Sequence, residues 1–231
     1  MVGVPKTIDN DVCETDTTFG FDTAVQIVAD AVDRLHTTAQ SHHRVMVIET
    51  MGRYAGWLAL VGGMAGGGDV ILIPEIPYRL ERVCEVIQER GRRGRRFSIV
   101  VVAEGVRTPE GDHVIRCREE ASHDPVRLGG VGMWLASTIE AMSGVEARAT
   151  VLGHLQRGGT PTARDRVLAT QFGREAAVAA VAGEFGIMVA LRGNQVVRVP
   201  LEKVADRQRL VDPQGQLVQT ARSVGTSFGD R

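Results

Sequence analysis

Apolar residues in the first third of the chain change from helical spacing to continuous β-branched runs. One apolar stripe predicts an amphipathic helix of at least three turns, with the members Ala24, Ile27, Val28, Ala31, Val32 and Leu35. The run at 44–50 predicts a buried strand. Similar patterns predict helices at about 54–66, 79–90, 129–142 and 165–182, and strands at 70–73, 97–103 and 148–152. Helices that alternate with short buried strands predict an α/β fold with a mainly parallel sheet.

The segments between these elements are more polar. The chain opens on a polar turn, and residues 105–128 predict an ordered surface loop or excursion. Two short runs, 187–191 and 195–199, predict a hairpin. The last thirty residues are polar, and we expect them to pack loosely.

Charged residues follow three of the predicted strands directly. They are Glu49 to Arg53, Glu104, and His154 to Arg157. The carboxyl ends of parallel strands meet at one edge of the sheet, and ligands bind there in α/β proteins. We therefore expect these side chains to converge on one candidate site.

The overall composition indicates an ordinary soluble protein. Lys and Arg number 27 and Asp and Glu 28, so the net charge of -1 gives no general attraction to nucleic acid or membrane. The three cysteines contain no CxxC pair, the N-terminus has no apolar region of the signal-peptide type, and no apolar run is long enough for a membrane span. These features predict a cytoplasmic protein with no nucleic-acid or membrane partner.

Two glycine-containing segments have alternative interpretations. The basic segment 90–96 predicts a solvated turn, and it lacks the interleaved aromatic residues that a nucleic-acid patch would use. The glycine-rich stretch 62–69 lacks the GxxxxGK[ST] pattern of a phosphate loop. We interpret that stretch as close helix packing followed by a turn.

Two carboxylates lie close together in the opening turn. Asp9 and Asp11 are two residues apart, so their side chains can point the same way in an extended segment. One could accept a proton from a hydroxyl while the other lies near a metal ion, as phosphoryl transfer requires. The alternative is a plain Asx-rich turn before a helix.

Cationic side chains flank the predicted strands. Arg44, Arg53, Arg148 and Arg157 could bind phosphate through two parallel hydrogen bonds each, or could be solvated surface residues. His154 lies between a strand and a glycine-rich turn, where either a structural or a ligand-binding role is open.

Five long segments resemble the phosphofructokinase family. In chain order they are PKTIDND (5–11), TDTTFGFDTA (15–24), SHHRVMVIETMGRYAGW (41–57), VVVAEG (100–105) and RATVLGHLQRGGTPTARDRVLA (148–169). They occur in the order and at the spacing of the family and span residues 1 to about 200. Five such segments together exclude a chance similarity and favour the functional interpretations above.

The resemblance implies catalytic roles for the opening turn and the segment after the first long strand. Asp9 would be the base that takes the proton from the sugar 1-hydroxyl, and Asp11 would lie near Mg²⁺. Thr7 would contact the sugar or the moving phosphoryl group. Arg53 would neutralise the charge that develops on that group. Lys6 would contact the donor phosphate.

The resemblance also implies a binding site for fructose 6-phosphate. Its members within one chain would be Met51, Gly52, Glu104, His154 and Arg157. Arg44 and Arg148 match ligands of the 6-phosphate that come from a neighbouring subunit in the family. We therefore expect a homo-oligomer, a dimer or a tetramer, with shared active sites.

The phosphoryl donor stays open between ATP and pyrophosphate, because a lysine at position 6 occurs with both donors in the family. We favour ATP. No Gly-Gly-Asp-type loop of a donor site lies upstream of the opening turn in these 231 residues, so we expect the donor-binding region to be missing. The resemblance implies a glycolytic 6-phosphofructokinase, which is a kinase of the transferase class. If the donor-binding region is missing, the alternative is a non-catalytic sugar-phosphate-binding fragment.

The resemblance implies a domain organisation and a regulatory hypothesis. The fold would be a phosphofructokinase-like α/β sandwich with an incomplete donor domain. Its parts would be a catalytic-loop remnant of the donor domain (1–20), the sugar-phosphate domain (21–157), a segment returning to the donor domain (158–205) and a tail (206–231). Arg93 and Arg95, with Asp69, occupy positions of an allosteric anion site in regulated relatives. His36, where those relatives carry arginine, weakens that hypothesis.

Overall fold

A four-stranded parallel sheet organises most of the chain in the computed structural model, which describes residues 1–108, 111–113, 115–118 and 126–231. For residues 115–118, 126 and 127 only the backbone is described. In chain order the elements are β1 (Val2–Gly3), β2 (Lys6–Thr7), β3 (Phe19–Gly20), α1 (Phe21–His42), β4 (Val45–Thr50), α2 (Trp57–Ala65), β5 (Val70–Leu72), α3 (Leu80–Arg92), β6 (Ser98–Ala103), β7 (Ile115–Arg118), β8 (Val126–Leu128), α4 (Val131–Ser143), β9 (Ala147–Val151), α5 (Ala163–Val181), β10 (Ile187–Arg192), β11 (Gln195–Pro200) and α6 (Gln216–Ser223).

The central sheet has the strand order β5–β6–β4–β9, and every neighbouring pair is parallel. All residues of β4 and β6 are buried, as their continuous β-branched sequences require. The helices α1 and α2 pack together on one face, and α3 and α4 pack together on the other. The predicted α/β fold with a mainly parallel sheet is therefore confirmed.

Two glycines, one within α2 and one directly after its last residue, bring this helix close to α1. A Cβ atom at Gly62 or Gly66 would come within 2.6 Å of Val28 or Val32 of α1, respectively. The two glycines are four residues apart and so lie on one helix face. The interpretation of the 62–69 stretch as close helix packing is confirmed.

A second, smaller sheet has the order β1–β10–β11. Its strands β10 and β11 form the predicted hairpin, in which Arg192 pairs with Gln195 across Gly193 and Asn194. Gly193 has a φ of 61°, a value that favours glycine in a two-residue turn. The helix α5 packs on β10 and on β3.

The predicted loose packing of the last thirty residues is wrong. Val218 and Ala221 of α6 are fully buried, and so is Phe228, all within the main core. Ser227 forms a parallel bridge with Val70, and its carbonyl accepts a hydrogen bond from the Ile71 amide at 2.9 Å. A few apolar residues separated by polar ones therefore extend the edge of the central sheet.

The predicted excursion at 105–128 contains a short antiparallel pair, β7 with β8, and the rest of it lies partly outside the described residues. In the part of the chain that the structure describes, no helix is both long enough and apolar enough to span a membrane.

Candidate active site

Two loops meet at the carboxyl edge of the central sheet, one after β4 and one after β6. The loop after β4 turns at Gly52 and Arg53, with φ values of 131° and 49°. The loop after β6 begins with Glu104 and Gly105, and a Cβ atom at Gly105 would lie 1.8 Å from the Arg53 carbonyl oxygen. Only glycine permits this approach, so residue 105 lets the two loops touch.

Glu104 joins these loops through its carboxylate. Its Oε1 accepts a hydrogen bond from the Arg53 backbone N–H at 3.1 Å. Burial, helped by the charges of Glu49 and Asp9, raises the pKa of Glu104 to about 7, although the amides of Arg53 and Gly52 oppose the shift. This carboxyl can therefore change its protonation state near neutral pH.

The opening turn places a second carboxylate at the same edge. The Thr7 hydroxyl donates to Asp9 Oδ2 at 3.4 Å and accepts from the Asp9 amide at 3.1 Å. Asn10 is buried and has a φ of 56°, in the left-handed region. Its Oδ1 accepts a hydrogen bond from the Thr18 amide at 3.0 Å, which fixes the turn between Asp9 and Asp11.

Burial and the negative charge of Asp11 raise the pKa of Asp9, whereas Arg157, Thr7 and Arg53 act to lower it. Asp9 Oδ1 is buried and has no hydrogen-bond partner among the described residues. A carboxylate oxygen in this state is available to accept a proton or to contact a ligand.

A short 3₁₀ helix, Gly153–Arg157, follows β9 and carries His154 and Arg157. Both side chains are exposed, whereas Gln156 between them is buried and anchors the turn. Arg157 is close enough to Asp9 to lower its pKa. The structure thus brings Asp9, Arg53, Glu104 and Arg157 to one edge of the sheet.

Three other predicted residues lie beside this edge. Met51 is buried at the end of β4 and Gly52 forms the turn that follows. Lys6 is exposed on β2, next to Thr7.

Arg44 and Arg148 lie at the opposite edge of the central sheet. Arg44 precedes β4, and Arg148 pairs with Met46 near the start of that strand. Arg44 Nε is 2.6 Å from Glu146 Oε2, and Arg148, which also pairs with Glu146, has its Nη1 3.1 Å from Glu140 Oε2. At about 3.3 Å per residue, β4 separates Arg44 from the Asp9 edge by roughly 20 Å. Within one chain these two arginines therefore do not join the site.

Comparison with known proteins places this arrangement in a family. The model of the family described as Phosphofructokinase matches residues 1–180. The chain belongs to the phosphofructokinase family. It is 54% identical over 230 residues to the ATP-dependent 6-phosphofructokinase of Chloroflexus aurantiacus, covering 100% of this chain and 63% of that protein. It is 57% identical over 228 residues to the pyrophosphate--fructose 6-phosphate 1-phosphotransferase of Streptomyces coelicolor, covering 99% and 65%.

Solved structures agree with the phosphofructokinase assignment. The pyrophosphate-dependent phosphofructokinase of Marinobacter aquaeolei superimposes with a TM-score of 0.79 at 26% identity, over 98% of this chain and 56% of that one. The phosphofructokinase of Saccharomyces cerevisiae superimposes with a TM-score of 0.75 at 35% identity, over 88% and 26%. The chain therefore spans less than two thirds of the length of these relatives.

The carboxylates of the opening turn fit a partial site for a hard divalent cation. Mg²⁺ in phosphoryl-transfer enzymes takes one or two protein carboxylates and completes its shell with water and phosphate oxygens. Asp9 offers the unpartnered Oδ1, and Asp11 offers a carboxylate whose Oδ2 accepts one hydrogen bond, from Gln208 at 3.2 Å. Over the described ranges no group of three or more ligating side chains comes together, so protein ligands alone do not form a closed metal site.

Sequence reasoning placed Glu49 at this edge of the sheet, but it missed Glu75 and the partners of both carboxylates. Glu49 is 2% exposed, and its carboxylate accepts hydrogen bonds from the amides of Gly130 and Gly132, at 2.7 to 3.1 Å, where α4 begins. Glu75 accepts from the amides of Gly56 and Val211, at 3.0 and 2.9 Å. The sequence signal for Glu49 is a charged residue at the end of a buried strand, and nothing local indicates Glu75 or its partners.

The basic segment 90–96 borders a cavity of about 760 Å³. Arg93 and Arg95 line it and are exposed, as the solvated-turn interpretation predicts. Arg90 instead forms an ion pair with Asp69 at 2.6 Å. The allosteric anion site at these positions stays a prediction.

Proposed function

We propose that this protein acts as a 6-phosphofructokinase, which transfers a phosphoryl group from ATP to the 1-hydroxyl of fructose 6-phosphate in glycolysis. The observation that carries the proposal is the half-buried Asp9 carboxylate, whose Oδ1 is buried and unpartnered, in the electrostatic field of Arg53 and Arg157. A base beside two cations suits a reaction that removes a hydroxyl proton and transfers an anionic group.

In the proposed reaction the 1-hydroxyl oxygen attacks the terminal phosphorus of the donor, and the bond from that phosphorus to the bridging oxygen breaks. The hydroxyl proton passes to Asp9, whose pKa is raised by burial and by Asp11. Arg53 neutralises charge on the transferring group, and Thr7 contacts the sugar or that group. These steps need donor and acceptor aligned in line.

We assign sugar-phosphate binding to Met51, Gly52, Glu104, His154 and Arg157 of the same chain. The raised pKa of Glu104 suits a carboxyl that exchanges hydrogen bonds with sugar hydroxyls. Arg44 and Arg148 are proposed to bind the 6-phosphate of a neighbouring subunit in a homodimer or homotetramer. Their position at the far edge of the sheet supports this division.

The donor and its metal are part of the proposal. Asp11 would lie near Mg²⁺, which supplies charge neutralisation to the donor phosphates when it is bound. Lys6 would contact the donor phosphate. Relatives named for ATP and for pyrophosphate match this chain at similar identity, so pyrophosphate is the second candidate donor.

Titration calorimetry with fructose 6-phosphate and coupled assays with ATP and with pyrophosphate test the proposal. We expect Asp9→Asn to lower turnover by about a hundredfold to ten-thousandfold while fructose 6-phosphate still binds. Asp33→Asn, a change at an exposed position of α1, is the matched control. Turnover of Asp9→Asn at the wild-type rate would remove Asp9 as the base. Binding without turnover in the wild-type chain would favour a sugar-phosphate-binding protein instead.

A further inference from the structure

Residues 208–211, which we call the strap, run along the carboxylate turn of the site. The Arg209 backbone N–H donates to the Asp11 carbonyl oxygen at 2.7 Å. Gln208 forms an antiparallel bridge with Val12, and its side chain donates to Asp11 Oδ2 at 3.2 Å. The strap therefore holds the outer side of the turn that carries Asp9 and Asp11.

The same strap is fixed to the first turn of α2. Trp57, the first residue of α2, lies four positions after Arg53, and its Nε1 donates to the Arg209 carbonyl oxygen at 2.8 Å. The Arg209 guanidinium stacks on the Trp57 indole, 4.3 Å from the ring centroid. Glu75 fastens the strap further, because one carboxylate oxygen accepts from both the Val211 and the Gly56 amide.

The Arg209 side chain touches both loops at once. Its Nη1 donates to the Asn10 carbonyl oxygen at 3.3 Å while its plane covers Trp57. Asn10 has a φ of 56°, and such a conformation persists only where the surroundings hold it. The Thr18 amide holds the Asn10 side chain, and Arg209 holds the Asn10 carbonyl.

The contacts with Trp57 and Asn10 stabilise the positive charge of Arg209. Among the described residues no carboxylate forms an ion pair with Arg209, although the guanidinium is half-buried. The opposing charge that acts on it most is the more distant carboxylate of Asp16. A cation that is partly removed from water, and is stacked on an indole rather than paired, is stabilised by the cation–π contact and by the Asn10 carbonyl.

We propose that Arg209 is a positioning residue, which fixes the Asp9–Asp11 turn relative to Arg53 by bridging Asn10 and Trp57. It acts through these two residues. The expected effect on kcat rests on the proposed phosphoryl transfer, because only in that reaction must Asp9 and Arg53 act on the same reacting group. The structural consequence, a more mobile turn when Arg209 is lost, does not depend on the reaction.

Steady-state kinetics of the full chain test the positioning role. We expect Arg209→Ala to lower kcat by about tenfold to a hundredfold, since small misplacements of catalytic groups cost this much. The KM for fructose 6-phosphate should stay near the wild-type value, because Glu104, His154 and Arg157 lie on other elements. Arg209→Lys keeps a cation and a donor for the Asn10 carbonyl oxygen and should restore most of kcat. Arg207→Ala, at an exposed position two residues away, should behave as the wild type.

Hydrogen exchange of the peptide 7–20 in the ligand-free chain is the second readout. We expect faster exchange there in Arg209→Ala and unchanged exchange in Arg207→Ala. If Arg209→Ala does not fold, Arg209→Met keeps the apolar stem and carries the same expectations.

Exchange in this peptide at the wild-type rate would overturn the inference, and so would a rise in KM at unchanged kcat. A wild-type chain that turns over neither ATP nor pyrophosphate would count against the proposed function alone, and exchange would still decide on Arg209.

Discussion

At the scale of single residues, the surroundings of Glu104 determine its chemistry. The side chain follows a fully buried strand, and its neighbours include the carboxylates of Glu49 and Asp9. Burial and these charges disfavour the ionised form, whereas the Arg53 and Gly52 amides favour it. The amides do not outweigh burial, and the pKa rises from 4.5 to about 7.

This shift predicts a specific pH dependence of folding stability. A carboxyl whose pKa is higher in the folded chain binds more protons when folded, so its contribution falls as pH rises from 4.5 through about 7. Glu104→Gln removes the ionisable group and keeps an oxygen that can accept from the Arg53 amide. As pH rises from 5 to 8, the free energy of unfolding of the variant should increase relative to that of the wild type by up to about 3 kcal/mol.

Denaturant unfolding of both proteins at several pH values checks this expectation. Glu81→Gln, at an exposed position of α3, serves as the control and should follow the wild type. Parallel stability curves for Glu104→Gln and the wild type would show that Glu104 has an ordinary pKa in the folded chain.

At the scale of elements, one carboxylate connects the first turns of two helices. Asp165 in the first turn of α5 is 4% exposed, and its Oδ1 accepts from the Gly20 amide at 2.8 Å. Its Oδ2 accepts from the amide and the hydroxyl of Thr23, at 2.8 and 2.5 Å, at the beginning of α1. Asp165 therefore satisfies N–H groups that α1 leaves unpaired, and its charge suits that helix end.

The substitution Asp165→Asn tests this connection, because the asparagine side chain has nearly the same shape as that of aspartate. Asparagine replaces one of the two accepting oxygens with an NH2 group, which cannot accept, so the buried donors at either Gly20 or Thr23 lose their partner. We expect a loss of about 1–3 kcal/mol in the free energy of unfolding, measured by denaturant unfolding. Asp33→Asn on the exposed side of α1 should change stability little. An equal effect of both variants would mean that Asp165 contributes only a general surface charge.

The elements that could be predicted from sequence are those whose signal is local. The helix α1 and the strands β4 and β6 appear at the predicted positions, because a single apolar period decides each of them. The convergence of Asp9, Arg53 and Glu104 followed from resemblance and from parallel-sheet geometry. The strap could not be predicted, because Arg209 and its partners Asn10 and Trp57 are about 150 to 200 positions apart in the chain.

At the scale of the whole molecule, the two edges of the central sheet carry the two parts of a proposed shared site. Asp9 lies at the carboxyl edge, whereas Arg148 lies at the amino edge with Arg44. In a symmetric oligomer the amino edge of one subunit can face the carboxyl edge of the next. The proposed domain division places the four strands of this sheet in the sugar-phosphate domain, residues 21–157, and assigns Asp9 to the preceding segment, residues 1–20.

Subunit complementation tests the shared site. Asp9→Asn and Arg148→Gln should each be inactive alone, because every site then lacks one group. Mixing the two after mild dissociation should restore fructose 6-phosphate turnover, since some sites then combine an intact Asp9 with an intact Arg148. A mixture of Asp9→Asn with Asp11→Asn is the control and should stay inactive, because both changes lie in one chain's part of the site. Failure of the first mixture to regain activity, although the subunits exchange, would place Arg148 outside the site.

The C-terminal segment contributes to folding of the whole chain, through Phe228. This ring is fully buried in the main core, and Arg222 covers it at 4.8 Å while bridging to Asp230. The substitution Phe228→Ala should lower the free energy of unfolding by about 3–5 kcal/mol, the usual range for the loss of a buried aromatic ring. Phe185→Ala is the matched control, because that ring is 61% exposed and should contribute little. Denaturant unfolding would measure both. If the two variants were equally stable, residues 206–231 would be a detachable tail; a large difference would make them part of the sugar-phosphate domain, whose edge strand they extend.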